Sequence, residues 1–169
     1  AHVGHRINDQ FAISANALSF VDQIVASDTD QEEEARAEYH DAYYWVRMDF
    51  GASDETGGRM LIARTDLDSE RSGSTNLPGI AAGALDDERK FSINSIQADG
   101  WWRPGARSVL QAGAEWRQMS GAYRYADDVD FELLFLTPGA PTTPSRSRSI
   151  QVHPSGHQAG AYVNWRFEP

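Results

Sequence analysis

The sequence predicts an all-β fold in which antiparallel strands follow one another as an up-and-down meander. Two observations lead to this expectation. Apolar and polar residues alternate with a period of two in several segments, which is typical of a strand with one apolar face. Stretches rich in Gly, Pro, Asp and Ser separate these segments and favour turns. We therefore expect one domain over residues 1–169, with about six strands.

The first three strands are predicted in the N-terminal half of the chain. In "FAISANA" the apolar residues occupy alternate positions, which places a strand near residues 10–24. The segment "DAYYWVRMDF" alternates in the same way and predicts a strand near residues 39–50. After the turn-forming "GASDETGG", the segment "RMLIARTDLD" predicts a strand near residues 59–68.

The other three strands are predicted in the C-terminal half. The segments "SINSIQADGWW" and "SVLQAGAEWRQ" flank a Pro-Gly turn and predict a hairpin of strands near residues 90–103 and 108–125. The segment "HQAGAYVNWRF" alternates most regularly of all and predicts a strand near residues 157–168.

The predicted connections alternate in length. Long loops are expected in the acidic stretch "SDTDQEEEARAEYHD", in Ser69–Glu88 and in Asp127–Ser155, so that all of them lie at one end of the sheet. Outer-membrane barrels combine short periplasmic turns and long extracellular loops with aromatic girdles. The sequence therefore predicts part of a transmembrane outer-membrane β-barrel, with Phe50 and Trp102 at the periplasmic girdle and Tyr123 and Tyr125 approaching the outer one.

Composition excludes several functional classes. No run approaches the roughly eighteen apolar residues of a membrane helix. The net charge is −10 and Lys90 is the single lysine, which argues against nucleic acid as a partner because phosphate binding needs clustered cations. The chain has no cysteine and therefore neither a disulfide framework nor thiolate metal sites.

Motifs for catalysis and metal binding are incomplete in this sequence. Asp28, Asp30 and Glu32 have the spacing that opens an EF-hand loop, but Glu33 replaces its glycine and Tyr39 its bidentate glutamate. The histidines form no HExxH arrangement, and neither a GxSxG elbow nor a phosphate-binding loop is present. We therefore expect no enzyme, no metal site and no cofactor.

Four segments of the chain resemble TonB-dependent receptors, the large outer-membrane barrels that take up scarce nutrients. They are "DAYYWVRMDF", "LIARTDLDSERSG", "GAEWRQMSGAYRYADD" and "HPSGHQAGAYVNWRF". The resemblance implies a segment of the barrel domain, located in the outer membrane of a Gram-negative bacterium. It further implies contact with the lipid bilayer, lipopolysaccharide, the remaining barrel strands, a plug domain and the TonB energy-coupling complex. Iron chelates, cobalamins, oligosaccharides and peptides all stay open as substrates.

In such a barrel the polar faces of the strands line the lumen. The expected lumen-facing residues are Tyr43, Trp45, Arg47, Asp99, Gln111, Glu115, Arg117, Tyr162, Asn164 and Arg166. Seven of them are the candidate ligand-binding residues, namely Tyr43, Trp45, Arg47, Glu115, Arg117, Tyr162 and Arg166. The small and aromatic residues on the opposite face are expected to contact lipid.

Two other functional interpretations fit the same alternation. One is a secreted all-β binding module, in which two sheets pack their apolar faces against each other as a sandwich. The other is a small porin-like barrel.

Six strands leave two unpaired edges, which hydrocarbon does not tolerate, so we expect this segment to pair with further strands in its native assembly.

Overall fold

The protein is all-β, as the sequence predicts. The computed structural model describes residues 1–28, 33–53, 55–78, 80–131 and 145–167. Together they form an eight-stranded antiparallel sheet. The strands are β1 (His2–Asn8), β2 (Phe11–Asp28), β3 (Glu33–Ser53), β4 (Thr56–Leu77), β5 (Ala81–Gly105), β6 (Ser108–Phe131), β7 (Ser145–Val152) and β8 (Ser155–Phe167).

Each strand from β1 to β7 pairs with its neighbour in sequence, so the predicted up-and-down meander is confirmed. The strands β7 and β8 lie end to end along β6. Their register is continuous, because Val152 is opposite Tyr123 and Ser155 is opposite Ser120. The break falls at Pro154, which has no backbone N–H for the ladder. Its carbonyl oxygen still accepts a hydrogen bond of 2.8 Å from the N–H of Gly121.

The prediction of a long loop at Ser69–Glu88 is wrong. The strand β4 continues to Leu77 and β5 begins at Ala81, with unbroken pairing between them. Polar residues hold this hairpin together through cross-strand ion pairs such as Arg71–Asp87. The segment lacks hydrophobic periodicity because polar side chains lie on both of its faces, and the sequence pattern therefore does not reveal the strands.

The other two expected loops and the strand count also need correction. In the acidic stretch, β2 extends to Asp28 and β3 begins at Glu33, while residues 29–32 lie outside the described part. In Asp127–Ser155, β6 continues to Phe131 and β7 is a strand, while residues 132–144 lie outside the described part. The sequence analysis also missed β1, whose histidines and arginine give no apolar alternation.

The central strands of the sheet extend far above the turns at one of its ends. We call the end with the connections Asn8–Phe11, Ser53–Thr56 and Gly105–Ser108 the lower end. At the upper end β4 and β5 join just as tightly, between Leu77 and Ala81. The strands β4, β5 and β6 have 22, 25 and 24 residues, whereas a membrane crossing needs about nine to eleven. The expected long loop between β4 and β5 is thus replaced by a long hairpin that projects upward, whereas residues 29–32 and 132–144 of the other two upper connections lie outside the described part.

The register divides the side chains into two faces, because directly paired residues point to the same side of a sheet. Face A carries the paired positions Ile13, Met48, Met60, Ala98, Ala114 and Ala161. Face B carries Ser14, Arg47, Leu61, Gln97, Glu115 and Gly160 at the adjacent level. Among the described residues no apolar side chain is buried, so the sheet is a single layer without a core of its own.

Apolar residues on face A form a continuous band near the lower end. The band is made of the face A residues of Phe11–Ala17, Ala42–Phe50, Gly58–Ile62, Ile96–Trp102, Leu110–Trp116 and Ala159–Phe167. Above it the same face carries charged residues, among them Asp68 opposite Lys90. We call this surface the apolar band.

Aromatic side chains mark both boundaries of the apolar band. Phe50, Trp102 and Trp165 lie at its lower boundary, and Tyr44 and Trp116 at its upper one. Tyr123 and Tyr125, which the sequence analysis placed near an outer girdle, are on face B instead. They pair with Arg89 and Asp87, two positions of that face.

Glycines at the start of β4 let large rings lie close against the backbone of the sheet. Gly57 and Gly58 are both buried. A Cβ at Gly57 would collide with the ring of Trp101, and a Cβ at Gly58 would be 2.5 Å from Cζ of Phe50. These two rings cover the glycine backbone from opposite faces. Gly51 makes the preceding bend with φ of 86°, a conformation that glycine adopts without strain.

We expect Gly58→Ala to lower the free energy of unfolding by about 1–3 kcal/mol, the usual cost of overpacking. The new Cβ would meet the ring of Phe50 and, at 2.7 Å, the carbonyl oxygen of Asp99, which is backbone and moves only with its strand. Gly105→Ala is the matched control, because a Cβ there has nothing within 4 Å. Urea unfolding of the intact protein measures both. Equal free energies for the two variants would contradict the account.

Candidate functional site

The seven candidate ligand-binding residues all lie on face B, as expected. Three of them follow one another on β3, two are on β6 and two on β8, namely Tyr43, Trp45 and Arg47, then Glu115 and Arg117, then Tyr162 and Arg166. The strands β4 and β5 separate the β3 group from the other four. The structure therefore divides the predicted set into two parts of one wall.

The β3 group lines a groove that we call the aromatic groove. Its apolar wall consists of Leu18, Phe20, Tyr43, Trp45 and Leu61, and Arg47, Arg59 and Gln97 lie at its lower end. The rings of Phe20 and Tyr43 stack with centroids 6.0 Å apart and an angle of 22° between planes. The groove has a volume of about 860 Å³, within the range of roughly 300–1,000 Å³ that ligand sites occupy.

The sequence analysis did not assign Leu18 and Phe20 to this site. Both residues lie on face B, opposite the apolar positions that predicted β2. They are 53% and 45% exposed, so the groove presents apolar surface to its surroundings. The signal in the sequence is the run "ALSFV", in which apolar residues occupy both faces of the strand.

Carboxylates pair with the arginines beside the aromatic groove. Arg47 donates hydrogen bonds from Nε and Nη2 to Asp49, the shortest at 2.7 Å. Nη2 of Arg59 lies 3.9 Å from Asp99. On β6, Arg117 forms an ion pair of 3.0 Å with Glu115. Formal charges at this level of face B therefore cancel pair by pair.

Asp99 connects the two parts of the wall. Its carboxylate accepts hydrogen bonds of 2.9 Å from Gln97 and 2.9 Å from the hydroxyl of Tyr162. Tyr162 is on β8 and reaches β5 by crossing over β6 at Gly113, where a Cβ would collide with its ring. A glycine at this position is thus what allows the contact between β8 and β5.

A second polar cluster lies on face B above the aromatic groove. Asp87 is only 5% exposed and accepts hydrogen bonds from Arg89, at 2.7 and 2.9 Å, and from Arg71. The guanidinium of Arg89 lies over the ring of Tyr123, 5.2 Å from its centroid. Sequence reasoning missed this cluster because it assigned the segment to a loop.

Arg148 of β7 repeats this arrangement one strand further along. It donates a hydrogen bond of 2.9 Å to Asp127 and lies 5.1 Å from the ring centroid of Tyr125. Both clusters brace adjacent strands of the projecting hairpins. Each cluster contains a cross-strand ion pair, Arg71–Asp87 in the first and Arg148–Asp127 in the second, and these pairs link strands in a region where no described apolar side chain is buried.

Comparisons with known proteins leave the family open. No protein-family model matches the chain, and no curated protein matches it either. Within the described residues there is no helix able to span a membrane. The same part of the chain has no group of three or more His, Asp or Glu residues placed to hold a metal ion.

Protonation of Asp87 should loosen the projecting hairpin. The hydrogen bonds from Arg89, followed by those from Arg71, hold the pKa of Asp87 below its ordinary value, and this residue lies above the apolar band. A carboxyl group with a depressed folded-state pKa contributes stability above its unfolded pKa, about 3.9, and loses it as the pH falls further. Hydrogen exchange of the hairpin amides, corrected for intrinsic rates, should therefore accelerate in acid.

Two variants separate Asp87 from the other carboxyl groups of the hairpin. Asp87→Asn should exchange fast at every pH and lose most of the acid dependence. Asp86→Asn, which changes the neighbouring carboxyl on face A, should keep the wild-type profile. An unchanged pH profile in Asp87→Asn would contradict the role of this cluster.

Proposed function

We propose that this chain is part of the barrel domain of an outer-membrane nutrient receptor of TonB-dependent type. The observation that carries the proposal is the apolar band on face A of a single-layer sheet, with polar residues on face B at the same level. Lipid on one side and water on the other account for both faces without a second protein layer. A TonB-dependent receptor moves its substrate without covalent change, so the proposal assigns no catalytic residue.

The dimensions of the apolar band support a bilayer crossing. The band covers five to seven residues on β2, β4, β5 and β6, and it extends from Ala42 to Phe50 on β3 and from Ala159 to Phe167 on β8. Both stretches reach the length of about nine to eleven residues that a tilted membrane strand needs. The aromatic residues at both boundaries are those expected where hydrocarbon meets the headgroup region.

The alternative binding module requires a second sheet packed on the first. The described residues form one sheet, and exposed apolar side chains such as Val163 and Trp165, at 76% and 71%, have no facing layer there. A small porin-like barrel shares the apolar band. The resemblance of four segments to TonB-dependent receptors and the long projecting hairpins favour the larger receptor.

The proposal gives each surface a role. The apolar band contacts lipid, and the charged part of face A above it meets lipopolysaccharide. The outer edges of the sheet continue into further barrel strands, because bare backbone groups cost several kcal/mol each in hydrocarbon. Face B lines the lumen that holds the plug and carries the candidate ligand-binding residues, and the TonB complex supplies the energy for uptake.

The cellular location tests this proposal directly. The full-length natural protein should fractionate with the outer membrane, resist extraction by carbonate and require detergent for solubility. Uptake of its substrate should stop when the energy-coupling complex is deleted. A protein recovered in the soluble fraction would contradict the proposal, and uptake that persists without energy coupling would favour the porin-like alternative.

Neighbouring arginine substitutions on β8 test which face contacts lipid. Ala161→Arg should cost about 2–4 kcal/mol of folding free energy, because it places a cation in the middle of the apolar band. Gly160→Arg should cost less, because Glu115 is beside that position, with Cγ 3.5 Å from an added Cβ. Reversible folding of the intact barrel into vesicles measures both. Equal penalties would mean that the two faces do not meet lipid and water.

A further inference from the structure

We propose that the aromatic groove binds a neutral saccharide, an inference that rests on the proposed function because it needs face B to line the lumen. The groove combines half-buried rings and the half-exposed side chains of Leu18 and Phe20 with hydrogen-bonding groups of both kinds at one end. An apolar wall beside a polar end matches a sugar, whose ring has a flat surface of C–H groups and an edge of hydroxyls.

The apolar wall of the groove provides the surface for stacking. Tyr43 and Trp45 follow each other on face B of β3, and Leu18 lies opposite Tyr43 on β2. Because Leu18 and Phe20 are half exposed, the wall has apolar surface that a ligand would remove from water. Aromatic rings offer such surface at low cost in conformational entropy, since a tyrosine or tryptophan side chain has only two χ angles.

The polar end of the groove offers donors and acceptors together. The hydrogen bonds of Arg47 to Asp49 engage Nε and Nη2, which leaves the two N–H donors of Nη1 for another partner. Gln97 donates its amide N–H to Asp99, and its carbonyl oxygen accepts hydrogen bonds. Sugar hydroxyls both donate and accept, so they fit this mixture better than a group that only accepts.

The charge balance beside the groove argues for a neutral ligand. Arg47 is paired with Asp49 at 2.7 Å, and Nη2 of Arg59 lies 3.9 Å from the carboxylate of Asp99. Sites for anions such as iron chelates need cationic charge that is not already compensated. Here a carboxylate accompanies each guanidinium, so an anionic ligand would face repulsion along with attraction.

Binding measurements on the full-length receptor in detergent test this inference. The neutral probes are maltohexaose, cellohexaose and xylohexaose, and hexagalacturonate is the anionic probe of the same ring number. At least one neutral hexamer should bind more tightly than hexagalacturonate. The variant Asp49→Asn should shift the preference toward hexagalacturonate, because it leaves Arg47 without its carboxylate. Failure of all three neutral probes, or tighter binding of hexagalacturonate by the wild type, would overturn the proposal.

Two tryptophans on opposite faces provide matched variants. Trp45→Ala should weaken binding of the neutral hexamer at least tenfold, and Trp45→Tyr should retain most of the affinity because it keeps a ring. Trp116→Ala, on face A, should leave binding unchanged. If Trp45→Ala lowers the unfolding temperature but leaves binding intact, the groove packs against another part of the receptor and the proposal is wrong.

The location of the same preparation separates the two proposals. A receptor found in the outer membrane that binds none of the neutral probes would refute the saccharide inference and leave the proposed function standing. A protein that never reaches the outer membrane would refute the proposed function itself.

Discussion

Backbone pairing in one continuous register is the interaction on which the rest of this structure depends. No described apolar side chain is buried, so packing of a core does not hold the strands together. The ladder from β2 to β6 pairs nearly every residue of strands that reach 25 residues. Because the register fixes which side chains share a face, it also fixes the apolar band, the aromatic groove and the Asp87 cluster. Rings over Gly57, Gly58 and Gly113 reinforce the ladder where the backbone alone would be exposed.

The polarity of each face changes along the strands, and this change determines what can surround the sheet. Near the lower end face A is apolar and face B is charged. Above the apolar band the charges spread over both faces, with Asp68 and Lys90 on face A and Asp87 and Arg89 on face B. A sheet that was half of a sandwich would keep one face apolar along its whole length. A barrel strand that leaves the bilayer has water on both sides, so neither of its faces needs to stay apolar there.

Sequence alternation predicts the part of the fold that has one apolar face and fails elsewhere. The segments "DAYYWVRMDF" and "HQAGAYVNWRF" contribute to the apolar band, and their strands and faces were predictable. The hairpin of Ser69–Glu88 was not, because ion pairs such as Arg71–Asp87 stabilise it and leave no periodic signal. The same limit hid Asp87, whereas the shared face of Tyr43, Trp45 and Arg47 was predictable because these residues alternate with apolar ones. The contact of Tyr162 on β8 with Asp99 on β5 depends on Gly113 of β6, and a pattern within one strand does not reveal a contact that involves three strands.

The central claim is that face A meets lipid within the apolar band and that face B meets water. The chain has no cysteine, so single cysteines can be introduced along β8 and spin-labelled without a background signal. Accessibility to oxygen and to a water-soluble nickel chelate should alternate from residue to residue between Ala159 and Phe167 in the membrane-inserted full-length protein. Odd-numbered positions should be oxygen-accessible and even-numbered positions nickel-accessible. Uniform accessibility to the nickel chelate along this strand would contradict the account.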